Sequence, residues 1–431
     1  MIGRTAALPL HLTSATMLRV SAEGVATALV LTVQARTGDA ATAGYLQTAM
    51  TLPYVLSGPV IGNALDRVAR PRRGAVALAA CYVAATALLL VIAGRSPLVL
   101  ALAVAAVIGC TEPIVVALTS LLPRFVPAGR LARAYGLEAS SYNLAGIAGP
   151  GLAAALAALA GGQYAGSAVV AVGVLGFLTL PFLPFPGPSP RTDAAPGAAA
   201  VEAAADTGAV GGPAAAIDTA TGPERTGMLS VITGGLVVLA EGRVLRALTI
   251  ATTLAWTGFG GVAVTAVLLA EHIGAPPSAG GRLLVAMAVG SLIGSLASSR
   301  WLTPKHAEPV MLAGLVAFGA SLAALAVVPS MPWATAAFVA AGIAEGPVFA
   351  ATLMLRQRES PPERLGQVNT TAGSLKIGAS AAGAGLTAAS AATIGPVGLV
   401  LAIAAFQFAG ALSGHLLLKH PRTAEEKNST R

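Results

Sequence analysis

Charge is scarce in this 431-residue chain: 10% of its residues are Asp, Glu, Lys or Arg, and 55% are hydrophobic. A soluble domain carries about a quarter charged residues, so this balance, with a mean hydropathy of +0.77, excludes one. Cysteine is nearly absent. Its two copies, Cys81 and Cys110, both fall inside apolar runs, make no metal site alone and are read as packing residues. Aromatics amount to 4%, which leaves few stacking surfaces. The chain also lacks HExxH, a nucleophile elbow and a phosphate loop, and its five histidines are scattered mainly near loops and ends. Catalysis, a metal and a cofactor are therefore not expected. A cleaved signal peptide is not expected either, because the first apolar run contains Arg19 and Glu23 and continues past Val33.

Long apolar runs are what the chain has instead. About twelve approach the ~20 residues that a helix needs to cross a bilayer. They cover roughly 10–35, 41–62, 74–94, 97–122, 134–160, 164–185, 245–270, 279–301, 309–328, 332–355, 368–393 and 396–418. If the N-terminus is cytoplasmic, only Arg36, Arg95 and Arg282 of the 26 Lys and Arg residues fall outside, with Arg19 and Lys376 inside the membrane. All the others lie on the cytoplasmic side, as the positive-inside rule requires. The net charge of +8 thus reports topology: the basic residues sit in short loops, not on one face that nucleic acid could use. Lysine occurs only at 305, 376, 419 and 427; with the Ala and Gly excess, this points to a GC-rich bacterial genome and a plasma membrane. The expected protein is multi-pass, with both termini cytoplasmic.

The stretch 186–227 breaks the pattern. It is rich in Ala, Pro, Gly and Thr, carries Asp193, Glu202, Asp206, Asp218 and Glu224, and reads as a disordered cytoplasmic linker. It divides a six-helix bundle, 1–185, from a second one, 228–418, with a cytoplasmic tail at 419–431. Met228–Ala240 is apolar but too short to cross, and reads as a helix lying on the membrane surface. The halves resemble each other. Gly109, Glu112 and Pro113 have counterparts in Gly342, Glu345 and Pro347, with Glu345 standing 233 residues after Glu112. Both sets lie on the fourth span of their half and precede an Arg-bearing loop and a Gly-rich fifth span. A six-plus-six duplication is a transporter feature, since two similar bundles can rock about a central site.

Between spans two and three the chain reads Gly62-Asn-Ala-Leu-Asp66-Arg67-Val-Ala69-Arg70-Pro-Arg72-Arg73. This is similar to the loop signature of the major facilitator superfamily, and the resemblance extends over essentially the whole chain. It implies an all-α integral membrane protein of twelve transmembrane helices in two pseudo-symmetric bundles. It also implies that Gly62, Asp66, Arg67 and Arg70 form a conformational gating loop. Gly62 would let helices approach closely; Asp66 could accept hydrogen bonds from a helix N-terminus or pair with a cation. The family usually has Gly where Ala69 stands, and in the second half Ser298 and Ser299 replace the acid. Span five carries Gly146-Ile-Ala-Gly149-Pro150-Gly151, which resembles the Gly-Pro motif of the family's drug/proton antiporters. Gly149 and Pro150 would permit a bend or close packing, although Ala153 and Ala154 replace that motif's final glycines. The Arg that such antiporters often carry in span four is missing.

A charge at mid-bilayer costs about 2.5–3.5 kcal/mol on insertion scales, so each one asks for a reason. Glu23, Glu112 and Glu345 fall near mid-depth on spans one, four and ten, and Lys376 about a third of the way into span eleven. Arg19 lies four residues before Glu23, where the two can pair along one helix face; Glu138, a turn inside span five, reads as interfacial. If Glu112 and Glu345 meet across the pseudo-twofold axis, they form a pair of acids whose protonation follows access. Glu112 is then the leading proton carrier and Glu345 the second, with Lys376 a counter-ion or an anchor for an anionic group. Tyr54, Tyr142, Trp256 and Phe259 could stack on a substrate but singly read as interfacial, and Asn143 and Thr257 are plausible polar contacts. The expected function is proton-coupled efflux of a small organic molecule, a drug or secondary metabolite, by a monomer working through alternating access. A proton-symport importer of a nutrient or siderophore is the alternative.

Overall fold

The computed structural model describes residues 7–38, 41–68, 71–183, 228–276 and 279–419. Among them there is no strand. The first half contains α1 (Ala7–Thr37), α2 (Ala41–Arg67), α3 (Pro71–Ile92), α4 (Leu98–Phe125, interrupted by short turns), α5 (Leu131–Ala160) and α6 (Ala165–Thr179). The second half begins with α7 (Met228–Glu241), followed by α8 (Arg243–Phe259), α9 (Val262–His272), α10 (Ala279–Trp301), α11 (Ala307–Ala324), α12 (Met331–Glu359) and α13 (Leu365–Lys419). The expected linker, 186–227, and all but the first residue of the expected tail lie outside the described residues.

Among the described residues, nine helices are long and apolar enough to cross a membrane, and α8 with α9, bent by 40° at their break, makes a tenth. Spans eleven and twelve appear as the single 55-residue helix α13, but its backbone leaves the helical region at Gly395, with φ 65° and ψ 178°. Only glycine tolerates that conformation readily, and Pro396 fixes the start of the returning arm. Counting the two arms separately and adding α2, which is long but less apolar, gives twelve segments of crossing length. Span four also differs from an unbroken helix: its ladder is interrupted at Glu112 and Pro113, because proline has no N–H to donate.

Each half has its own apolar core. One is built from residues 15–183 and another from residues 262–404. A third joins the halves, with Tyr135 and Ala139 of α5 in one cluster with Met354 of α12 and Leu248 of α8. This joint lies at the end carrying the Arg-rich loops, called here the basic end. There α2 packs on α13 and α5 on α10. Side chains are small where backbones touch: a Cβ on Gly62 would overlap the Gly366 carbonyl, and one on Gly136 would overlap Ser299. Toward the far end, among the described residues, no hydrogen bond joins the halves beyond those of Asp66, Tyr54 and Asn143, and a Cβ on Gly44, Gly151, Gly281 or Gly385 would meet nothing within 4 Å. The halves are sealed at one end and parted at the other.

Two expectations change here. The apolar segment before span seven does form a helix, but α7 lies across the seam between α2 and α13 and does not simply rest on lipid. Its Val231 carbonyl accepts a 2.7 Å hydrogen bond from Gln367 Nε2, and Val238 and Leu239 are buried. Cys81 and Cys110 are both exposed on helix surfaces, so neither packs in a core.

Candidate functional site: a polar cavity between the halves

A cavity of about 200 Å³ lies where the parted helices converge. Its wall from the first half carries Glu23 of α1, Tyr54 of α2, Glu112 of α4 and Tyr142 of α5. Its wall from the second half carries Trp256 of α8, Phe349 and Arg356 of α12, and Asn369 and Lys376 of α13. Helical spacing explains the convergence. Glu112, Val116 and Thr119 recur at four and three residues on one face of α4, as do Asn369, Gly373 and Lys376 at four and three on α13. A smaller adjoining pocket contains Glu345 and Phe259 and shares Trp256, Phe349 and Lys376 with the first.

Two acids of the first half, Glu23 and Glu112, are open to this space. Glu23 is exposed and Glu112 half-buried although both sit at mid-depth, and among the described residues neither has a hydrogen bond or ion-pair partner. Glu23 is thus not the partner of Arg19. Arg19 reaches across to α5, where its Nη2 lies 2.5 Å from Glu138 Oε1 and 3.1 Å from Thr119 Oγ1, and its Nη1 donates to Ser141. Its guanidinium also stacks on the Tyr142 ring at 3.7 Å. Glu138 accepts further bonds from Thr119 at 2.8 Å and lies 3.2 Å from His11 Nε2. Glu138 is fully buried, not interfacial. The reason is depth: α5 starts at Leu131, which places Glu138 two turns inside the bundle, where a charge must be paired. The clue in the sequence was His11, two helical turns before Arg19 and on the same face.

Glu112 and Glu345 do not share one pocket. Glu345 accepts a hydrogen bond from Ser291 of α10, within its own half, whereas the acid that shares the cavity with Glu112 is Glu23. The aromatic residues read as interfacial line the two pockets instead: Tyr54, Tyr142 and Trp256 in the first, and Phe259 in the second. Asn143 and Thr257 are not among the lining residues. Asn143 Nδ2 donates to the Ser291 carbonyl and Ser295 Oγ at 3.1 and 3.2 Å, tying α5 to α10. Thr257 bonds its own helix at Thr253.

Arg356 is the residue that sequence reasoning missed. It was counted with the loop arginines, but α12 continues to Glu359 and Arg356 is 3% exposed. It repeats the face of Glu345, Phe349 and Thr352 at intervals of four, three and four, a pattern visible in the letters. Lys376 is also buried, with its ammonium 4.9 Å from the Trp256 ring and 5.0 Å from the Phe349 ring. Among the described residues no carboxylate lies within ion-pair distance of Lys376 or Arg356.

The seal at the basic end is built around Asp66. Its Oδ1 accepts from Gly366 N at 3.1 Å and its Oδ2 from Gln367 N at 2.9 Å, so one carboxylate caps the N-terminus of α13. Asp66 lies past span two, in the last turn of α2. Burial pushes its carboxyl up to about 6, against the opposing pull of those two N–H groups and of Arg124 and Arg67. Arg67 itself is exposed, and Arg70 lies outside the described residues. In the other half Ser299 fills the corresponding place against Gly136 of α5. Gly149 meets the backbone of α1 at Val20 and Gly24. Pro150 follows within an unbroken α5, so this pair serves close packing and not a break.

A profile of the Major Facilitator Superfamily matches residues 12–240 and 248–431. An uncharacterized MFS-type transporter, y4rN of Sinorhizobium fredii (strain NBRC 101917 / NGR234), is 25% identical over 410 residues, which cover 91% of this chain and 92% of the relative. Among solved structures, the human organic anion transporter MFSD10 (TETRAN) superposes with a TM-score of 0.75 at 15% identity, over 96% of this chain and 100% of that one. A bacterial homologue of the iron transporter ferroportin, in an outward-facing state, gives 0.65 at 14% identity, over 97% and 99%. Two six-helix halves, sealed at one end around a polar cavity, and a profile spanning nearly every residue lead to one assignment: the chain belongs to the Major Facilitator Superfamily and is a secondary transporter of the membrane.

Proposed function

We propose that this transporter exports a small organic molecule, a drug or secondary metabolite, in exchange for protons across a bacterial plasma membrane. The positive-inside pattern makes the basic end cytoplasmic, so both termini are cytoplasmic and the described conformation is outward-facing. The observation that carries the reading is the pair Glu23 and Glu112: acids at mid-depth, open to the cavity, with no protein partner among the described residues. A carboxylate at membrane depth that faces a cavity without a protein partner marks a relay or a binding site. Glu112 is the leading proton carrier. Glu23 shares its cavity, and Glu345, held by Ser291, is the second carrier in the other half. Arg19 is committed to Glu138 and holds α1 on α5.

In the cycle, a proton entering from outside neutralises Glu112, which removes the charge that favours contact with water. The halves then rock, Asp66 and Gly62 part from α13, Gly149 keeps α1 against α5, and the cavity opens to the cytoplasm. Substrate entering there competes with the proton, and its binding returns the molecule to the outward state. One chain contains both halves of this device, so it works as a monomer.

The test uses everted vesicles energised by respiration and a panel of cationic, neutral and anionic organic compounds. Wild-type vesicles are expected to accumulate at least one compound, with accumulation lost on adding a protonophore and in Glu112→Gln. Accumulation that survives both treatments contradicts proton coupling, and depletion in place of accumulation assigns import.

A further inference from the structure

We infer that the substrate is an organic anion whose carboxylate is held by Arg356 and Lys376 and whose apolar body lies against Trp256 and Phe349. This rests on the transport reading above and specifies the cargo of the same cavity. Arg356 is 3% exposed, yet its Nε and Nη2 are buried and have no hydrogen-bond partner among the described residues. Arginine keeps its charge in any protein environment. A buried charge is ordinarily paired, because removing it from water costs several kcal/mol, so an unpaired guanidinium in a cavity wall calls for an anion from outside the chain.

Lys376 strengthens the argument. It is 6% exposed and lines the same cavity as Arg356. Two like charges in one cavity wall raise the cost of the empty site, and a carboxylate bound by both relieves it. Among the described residues no acid forms an ion pair with either cation: Glu345, which faces Lys376 across the adjoining pocket, is bound to Ser291, Glu138 to Arg19 and His11, and Glu23 and Glu112 belong to the opposite wall.

The geometry also selects the kind of anion. A planar guanidinium matches a carboxylate through two parallel hydrogen bonds, while an ammonium supplies a point charge. Trp256 and Phe349, both within cation–π distance of the Lys376 ammonium, offer flat apolar surface next to the charge site. The acids opposite repel a second negative charge, so the cargo carries its charge at one end only. Glu23 and Glu112 are then left for protons, and substrate and proton compete through the conformation each favours, not for one group.

The experiment measures binding to the full chain in nanodiscs of phosphatidylcholine, which supply no anionic headgroup, with no proton gradient. Benzoate, 1-naphthoate, biphenyl-4-carboxylate and indole-3-acetate are each titrated against the matching primary amide. At least one carboxylate is expected to bind about tenfold or more tightly than its amide, the usual worth of a charge-assisted hydrogen-bonded pair. That ratio falls to about one in Arg356→Gln and drops in Lys376→Gln, with amide binding unchanged. Arg356→Lys, which keeps charge but loses the fork, falls between and carries the test if the Gln variant is not recovered folded. A ratio near one for every carboxylate in the wild type, or a preference that persists in these variants, overturns the assignment. Because no gradient is applied and the readout is equilibrium binding, this test is independent of the vesicle assay, so failure of proton coupling and failure of anion recognition are read separately.

Discussion

At the scale of single residues, the buried charges of the first half divide into a structural set and a working set. Arg19, Glu138 and His11 satisfy one another, whereas Glu23 and Glu112 face open space. Breaking a buried pair strands the remaining charge, at a cost of about 3–5 kcal/mol. Glu138→Gln is therefore expected to lower the thermal midpoint of the purified protein markedly, and Glu23→Gln to leave it nearly unchanged. A differential scan of the two variants decides this; equal losses would contradict the division. The sequence displayed the charges but not their partners. Arg19 and Glu23 are neighbours along one helix, and only the approach of α1 to α5, which Gly149 permits by lacking a side chain, brings Glu138 nearer. Arg356 was readable by its spacing from Glu345, but its proximity to the basic loop disguised its depth.

At the scale of helices, the seal depends on small side chains and one carboxylate. Gly62 touches the backbone of α13, so Gly62→Leu should prevent closure at the basic end. Cysteine pairs introduced across α2 and α13 would then cross-link far less than in the wild-type background, and undiminished cross-linking would contradict the contact. Asp66 adds a pH dependence whose sign is fixed. Exposed, when the gate is open, its carboxyl titrates near the ordinary value of 3.8; in the closed gate it titrates at about 6. The closed form therefore binds the proton more tightly, and lowering pH from 7 to 5 on that face favours closure. Asp66→Ala should flatten this response in the same cross-linking assay. Hydrophobic run length located most of these helices, and the loop letters pointed to Asp66. The corner at Gly395 falls in the gap between the runs 368–393 and 396–418, whereas the break at Glu112 was less legible, since it depends on backbone geometry that run length does not encode.

At the scale of the molecule, twelve segments were legible because a bilayer imposes length and loop charge on the sequence directly. Which way the bundle gapes was not, because both conformations of such a device bury the same letters in different partners. The account's central claim is that the proton on Glu112 drives reciprocal opening of the two ends. Spin-label distances measured in nanodiscs at fixed neutral pH test it, with one pair at Arg67 and Glu363 across the basic end and another at Leu159 and Arg282 across the far end; all four positions are exposed. Glu112→Gln, which imitates the protonated acid, should lengthen the first distance and shorten the second relative to the wild-type glutamate. Superimposable distributions, or both pairs moving in the same direction, would contradict the claim.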